Sequence, residues 1–186
     1  MNLKNYNIKK DWTLFLDRDG VINEQLLDNY VTKWSEFKFI NDVLSSINKL
    51  SFVFGRIFVV TNQQGIGKGL MTVDDLNNVH NKMKDEIENA GGKIDKIYFC
   101  SKLENENSEM RKPNTGMALQ AKIDFPEIDF EKSIMLGDSM SDMQFGRNAG
   151  MKTVLIPSKN KVNTDSELID FLFKSMAEFV DAIILQ

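Results

Sequence analysis

The sequence predicts an α/β protein: a mainly parallel sheet with helices on both faces, a three-layer sandwich. Three observations carry that prediction. Short apolar runs rich in Val, Ile and Phe recur along the chain, helical apolar patterns lie between them, and no internal repeat or Pro/Gly-rich linker interrupts the alternation. Trp12 to Leu16 is the first candidate strand. Val43, Leu44, Ile47 and Leu50 then fall on one helical face. Arg56 to Val60 is the second strand, and the helix after it has marked ends. Thr72 caps it with Asp75 three places on, Met71 and Leu76 form a hydrophobic staple, and Gly91-Gly92 ends it. Leu76, Val79, Met83 and Ile87 make its apolar stripe, and the acids of its first turn suit the helix dipole. Lys93 to Phe99, Ser133 to Leu136 and Lys152 to Ile156 are further strands. The stretch Ser139 to Asp142 reads as the first turn of a helix, and Asp165 to Leu185 as one or two amphipathic helices packing on the sheet. With right-handed crossovers, the carboxyl ends of all these strands share one edge.

A chain of 186 residues, 42% hydrophobic and 27% charged, is sized for a single domain over 1–186. Lys+Arg 23 against Asp+Glu 27 gives a net charge of -4, which argues against nucleic acid or an anionic membrane as a partner through charge alone. The lone cysteine, Cys100, rules out an internal disulfide and fits a reducing compartment. The start Met1-Asn2-Leu3-Lys4 lacks a signal-peptide apolar stretch, and no run reaches transmembrane length. The expectation is a cytoplasmic monomer or small homo-oligomer.

The chemistry is written at the strand ends. Asp17 and Asp19 end one apolar run and Asp138 another, while Thr61 and Cys100 follow two more, so these positions line one rim. Carboxylates meeting there repel: at about 5 Å and an effective dielectric of roughly 20, each pair costs on the order of 3 kcal/mol. A divalent cation relieves that cost, and an all-oxygen set from Asp17, Asp19 and Asp138 favours magnesium over a soft metal. The bland alternative is that such acids are turn residues and caps, a serious one for Asp142. An EF-hand is a poor alternative, since Gly20 holds the fourth loop position where glycine is needed at the sixth. Gly65-Ile66-Gly67-Lys68-Gly69 lacks the phosphate-loop pattern and reads as a flexible turn with Lys68 a solvated charge. The only histidine, His80, lies beside the apolar stripe of its helix, away from the strand ends, and reads as structural. Gly20 to Phe39 is too long for a tight turn and is expected to form a flap at the site.

In order, Asp17-Arg18-Asp19-Gly20-Val21-Ile22-Asn23, Val59-Val60-Thr61-Asn62-Gln63-Gln64-Gly65, Arg111-Lys112-Pro113 and Gly137-Asp138-Ser139-Met140-Ser141-Asp142 resemble the four motifs of the haloacid dehalogenase superfamily of phosphatases. The wording is most similar to the branch of D-glycero-D-manno-heptose bisphosphate phosphatase and histidinol phosphatase. The resemblance implies a Rossmann-like fold without a large cap domain and a magnesium-dependent phosphomonoesterase working through an aspartyl-phosphate. Asp17 would be the nucleophile, and Asp19 would protonate the leaving oxygen and then activate water. Magnesium would be held by Asp17, the Asp19 main-chain carbonyl and Asp138, with Asp142 a ligand or a partner of one. Thr61, Asn62 and Lys112 would bind the transferring phosphate, and Arg111 a more distant part of the substrate, a second phosphate among the options. Relatives in this branch usually carry a zinc loop of three cysteines and a histidine, whereas Cys100 to Met110 offers one cysteine and no histidine, so no zinc is expected. The expected substrate is a small phosphorylated metabolite of the heptose bisphosphate kind. Histidinol phosphate is the alternative within the family, and a phospho-accepting receiver-like signalling module or a silent phosphosugar-binding protein the alternatives outside it.

Overall fold

The computed structural model describes residues 3–26, 29–158 and 162–184. Strands β1 (Thr13–Leu16), β2 (Arg56–Asn62), β3 (Lys96–Cys100), β4 (Ser133–Gly137), β5 (Lys152–Leu155) and β6 (Phe171–Leu172) form one six-stranded sheet in the order β3-β2-β1-β4-β5-β6. Every pairing is parallel, with Phe15 opposite Phe58 on one side and Met135 on the other. This is the strand order of the doubly wound dinucleotide-binding folds and not the 2-1-3-4-5 order of receiver-type modules.

Because side chains alternate along a strand, the sheet feeds two separate cores. Leu14, Leu16, Ile57, Val59, Ile134 and Leu136 face helices α1 (Val43–Val53), α2 (Val73–Asn89) and α5 (Met176–Ile184). Phe15, Phe58, Val60 and Met135 face α3 (Gly116–Asp124) and α4 (Met140–Ala149). The three layers expected from the alternation are therefore present. The predicted ends of α2 hold as well: the Thr72 hydroxyl accepts from the Asp75 N–H while the Asp75 carboxylate accepts from the Thr72 N–H. Leu76, Val79, Met83 and Ile87 are buried together with His80.

One element differs from expectation. The stretch read as one or two helices over 165–185 holds a single helix, α5, preceded by the edge strand β6; Leu185 lies outside the described residues. That edge is pinned by Asp170, whose carboxylate accepts from the Thr153 N–H at 2.9 Å and from Arg147 Nη2 at 2.7 Å. Helix α3 has no clean apolar stripe, because Leu119 and Ile123 are exposed beside buried Met117, Ala118 and Ala121.

The order of strands reverses at β1: β2 and β3 extend one way, β4, β5 and β6 the other. A crevice opens where crossovers leave on opposite faces, above the carboxyl ends of β1 and β4. Asp17 follows β1 and Asp138 follows β4, so the topology alone brings these two acids together.

Candidate active site

Around that crevice lies a cavity of about 440 Å³, walled by Asp17, Asp19, Thr61, Lys112 and Asp138. The flap contributes Leu26, Asn29 and Tyr30 to its rim; residues 27 and 28 lie outside those described. Lys68 is exposed, as a solvated charge should be, yet it also reaches the rim and donates to the Tyr30 hydroxyl at 3.0 Å.

Glycine makes room for two of the acids. A Cβ on Gly20 would lie 2.0 Å from Asp138 Oδ2, and one on Gly137 would lie 2.3 Å from the Asp142 Cβ, so each carboxylate sits where a side chain would otherwise be. Asp17, Asp138 and Asp142 each offer an oxygen within 4.8 Å of the other two, and all three are buried. Lys112 stands among them. Its ammonium is 2.8 Å from Asp17 Oδ1 and 2.6 Å from Asp142 Oδ1, and it donates to the Val60 carbonyl at 2.8 Å. Asn62 holds the lysine's main chain, accepting from the Lys112 N–H at 3.0 Å and donating to its carbonyl at 3.1 Å.

One ammonium does not balance three buried acids. Burial, and then the charge of Asp142, push the Asp17 carboxyl well above its ordinary range, with Lys112 pulling the other way. Burial and Asp142 likewise push Asp138 up to about 6. Asp138 Oδ2 is buried without a hydrogen-bond partner. Three buried acids around a single ammonium, with one carboxylate oxygen left without a hydrogen-bond partner, fit a hard divalent cation. Asp142 differs from the other two: Oδ1 is on Lys112, and Oδ2 accepts from the Ser139 N–H at 3.1 Å and hydroxyl at 2.6 Å, as the capping box of α4.

Asp19 has the opposite setting. Burial disfavours its charge, but Arg18 Nη2 donates to both of its oxygens at 2.9 Å, Asn23 Nδ2 to Oδ1 at 2.9 Å and Gln63 Nε2 to Oδ2 at 2.8 Å. The donors prevail, and the carboxyl is held below its usual range. Gln63 also donates to the Thr61 hydroxyl at 2.9 Å, tying the two motifs together. Arg18 in turn meets His80 Nε2 at 3.0 Å. The sequence reading placed His80 away from the strand ends; the structure corrects this, since one buried arginine separates it from Asp19.

Arg111 is not on the main cavity. It lines an adjoining one of about 450 Å³ that shares Asn62, Lys112 and Ser141 with it, and Arg111 Nη1 is buried there without a partner. Cys100 is buried and free at the end of β3, apart from both cavities. The loop beyond Cys100 is ordered by its own polar groups: Glu106 accepts from the Leu103 N–H at 2.7 Å and from Lys102 at 2.9 Å, and Asn114 donates to the Ser108 carbonyl at 3.0 Å.

A family model described as "Polynucleotide kinase 3 phosphatase" matches residues 11–179. The chain belongs to that family, within the haloacid dehalogenase-like phosphatases. Among its relatives is the D-glycero-alpha-D-manno-heptose-1,7-bisphosphate 7-phosphatase of Campylobacter jejuni, 37% identical over 174 residues that cover 92% of this chain and 95% of the relative. The D-glycero-beta-D-manno-heptose-1,7-bisphosphate 7-phosphatase of Helicobacter pylori is 33% identical over 171 residues, 91% of this chain and 95% of the relative. In solved structures the fold recurs in the D,D-heptose 1.7-bisphosphate phosphatase of B. bronchiseptica, complexed with magnesium and phosphate. There the TM-score is 0.81 at 24% identity, covering 94% of this chain and 98% of that one. The haloacid dehalogenase-like phosphatases thus supply the reaction class, phosphate ester hydrolysis. Among the described residues, no helix is long and apolar enough to cross a membrane.

Sequence reasoning missed Arg18, Asn23 and Gln63 as partners of Asp19, and His80 as the partner of Arg18. A signal existed for His80: a histidine beside an apolar stripe is buried, and a buried imidazole needs a partner.

Proposed function

We propose that the chain is a magnesium-dependent phosphomonoesterase acting on a sugar bisphosphate of the D-glycero-D-manno-heptose 1,7-bisphosphate kind. The observation that carries this reading is the pairing of two acids in opposite environments in one 440 Å³ cavity: Asp17 beside Lys112 and a cation-deficient carboxylate cluster, Asp19 in a cage of donors. Two carboxyls held apart in this way divide nucleophile from acid and base. Substrate identity rests on the relatives at 33–37% identity over nearly the whole chain.

In this reading Asp17 attacks phosphorus, the ester bond to the leaving oxygen breaks, and Asp19 gives that oxygen a proton. Asp19 then takes a proton from the water that cleaves the aspartyl-phosphate. Its resting form is the carboxylate, and the negative charge of an entering phosphate raises its affinity for the proton it must carry. Asp17 and Asp138, with the Asp19 main-chain carbonyl, would hold magnesium. When bound, the cation supplies the positive charge that keeps the two side chains ionised and offsets charge on the phosphoryl oxygens. Asp142 holds Lys112, and Asn62 fixes that lysine's backbone beside the phosphate. Thr61 offers its hydroxyl to the phosphate, and Arg111 meets the substrate's second phosphate in the adjoining cavity. The loop 101–110 works without zinc, with Glu106 as its source of order. A single domain, a small metabolite partner rather than nucleic acid or membrane, and a cytoplasmic monomer or small homo-oligomer complete the proposal.

The test is phosphate release from both anomers of heptose 1,7-bisphosphate, histidinol phosphate and a 3′-phosphorylated oligonucleotide, with magnesium or EDTA, by wild type and Asp17→Asn. Magnesium-dependent turnover of a heptose bisphosphate, lost in the variant, supports the reading. Preference for histidinol phosphate or the oligonucleotide overturns the substrate, and turnover by Asp17→Asn overturns the mechanism.

A further inference from the structure

The general acid-base residue is held by a chain of buried groups that reaches across to α2. Arg18 is fully buried, as is His80 at 4% exposure, and the imidazole lies edge-on to Phe99 with ring centroids 6.0 Å apart. A guanidinium has donors only, so His80 Nε2 must be the acceptor in the 3.0 Å contact with Arg18 Nη1, which makes the ring the neutral Nδ1–H tautomer. Arg18 Nε has no partner, so besides its bonds to Asp19 the guanidinium has one further anchor, the histidine. Among the described residues no other hydrogen bond fixes its plane so that Nη2 bridges both oxygens of Asp19.

We propose that His80 is a positioning residue of the reaction: by accepting from Arg18 it fixes the guanidinium, and through it the orientation in which the Asp19 carboxyl passes its proton to the leaving oxygen. This rests on the assignment of Asp19 as the acid. Asn23 and Gln63 also hold Asp19, so loss of the histidine loosens the carboxyl without releasing it. The effect falls on proton transfer and not on substrate binding. It therefore scales with how much the leaving group needs a proton, which a purely structural role for His80 would not produce.

The experiment measures first-turnover release of the leaving group from p-nitrophenyl phosphate, whose phenolate leaves unprotonated, and from an alkyl phosphate, whose alkoxide cannot. His80→Gln keeps an acceptor near Nε2; His80→Asn is equally polar but too short to reach Arg18. The expected result is a drop of about 10- to 100-fold for His80→Asn on the alkyl phosphate, with less than about threefold on the aryl ester, KM little changed, and most activity regained in His80→Gln. An equal fall on both substrates, or none on either, overturns the proposal. Asp19→Ala serves as the control. If it does not discriminate between the two substrates, the acid assignment fails and this proposal with it. If it discriminates and His80→Asn does not, only the role of His80 fails. Should His80→Asn not fold, as judged by circular dichroism, the discrimination is read from His80→Gln against wild type. Gln then retains the wild-type ratio between substrates if the acceptor is what matters, and a changed ratio overturns the proposal.

Discussion

Replacing Asp138 with asparagine should stabilise the metal-free protein while destroying its response to magnesium. Asp138 is almost fully buried, its Oδ2 has no hydrogen-bond partner, and burial with the charge of Asp142 pushes its carboxyl from 3.8 up to about 6. The folded form therefore keeps a proton up to about pH 6 that the unfolded chain releases near pH 3.8. Between those values the native state binds more protons, so stability falls as pH rises, and above pH 6 the full penalty is present. A carboxyl raised from 3.8 to about 6 corresponds to roughly 3 kcal/mol. Asparagine has the same shape and no charge. In EDTA at pH 7.5, Asp138→Asn should gain up to that amount, or roughly 6 to 12 °C in Tm for a chain of this size. At pH 4.5 most of the gain should be gone, because the wild-type carboxyl is then largely protonated. Magnesium should raise the Tm of wild type at pH 7.5 and leave the variant unmoved. Thermal and urea unfolding at the two pH values, with and without magnesium, read all of this. A variant less stable than wild type in EDTA at pH 7.5, or a gain that persists unchanged at pH 4.5, would refute the charge argument.

Two further substitutions probe the same cluster. Gly20→Ala puts a methyl 2.0 Å from Asp138 Oδ2 at a backbone φ of +87, so it should cost more than about 1 kcal/mol in urea unfolding and abolish the magnesium-dependent rise in Tm. Lys112→Met leaves Asp17 and Asp142 without their shared ammonium, and should cost about 3 to 5 kcal/mol at pH 7.5 and at least about 100-fold in phosphate release.

The parts of this molecule that the sequence disclosed are those fixed by local pattern. Asp17 and Asp138 follow apolar runs, and an all-parallel sheet puts such positions on one rim without any knowledge of long-range contacts. The capping box at Thr72 and the helix start over Ser139 to Asp142 are likewise local, four residues each. Strand β6 was invisible because two residues carry no period, and it exists because Asp170 bonds back to Thr153, 17 positions away. The cage around Asp19 was invisible for the same reason at greater distance: Gln63 and His80 lie 44 and 62 residues from their partners. The motif residues themselves were legible as a set, but their division of labour was not. Only the geometry shows that Asn62 spends both amide atoms on the backbone of Lys112, and that Asp142 joins the helix cap already legible in the sequence to an ion pair with Lys112.

Lys112 shows how that geometry bears on the proposed reaction. An ammonium has three donors, and in the resting protein all three are engaged, by Asp17, Asp142 and the Val60 carbonyl. A lysine so committed cannot donate to an incoming phosphate without giving up a partner, so it adds little to ground-state binding beyond its charge. In the mechanism proposed above, the partner that changes is Asp17. As its carboxylate becomes an ester of phosphate, its negative charge is consumed and its hold on the ammonium weakens, while charge on the phosphoryl oxygens needs a donor at the same place. The bond released by Asp17 is then free to form to phosphate in the transition state and not before. Interactions that strengthen only there raise kcat rather than lowering KM. Asp142 and Val60 keep the ammonium from following Asp17 or retreating, which gives a reason for burying a second carboxylate behind the lysine despite the repulsion it brings to the cluster.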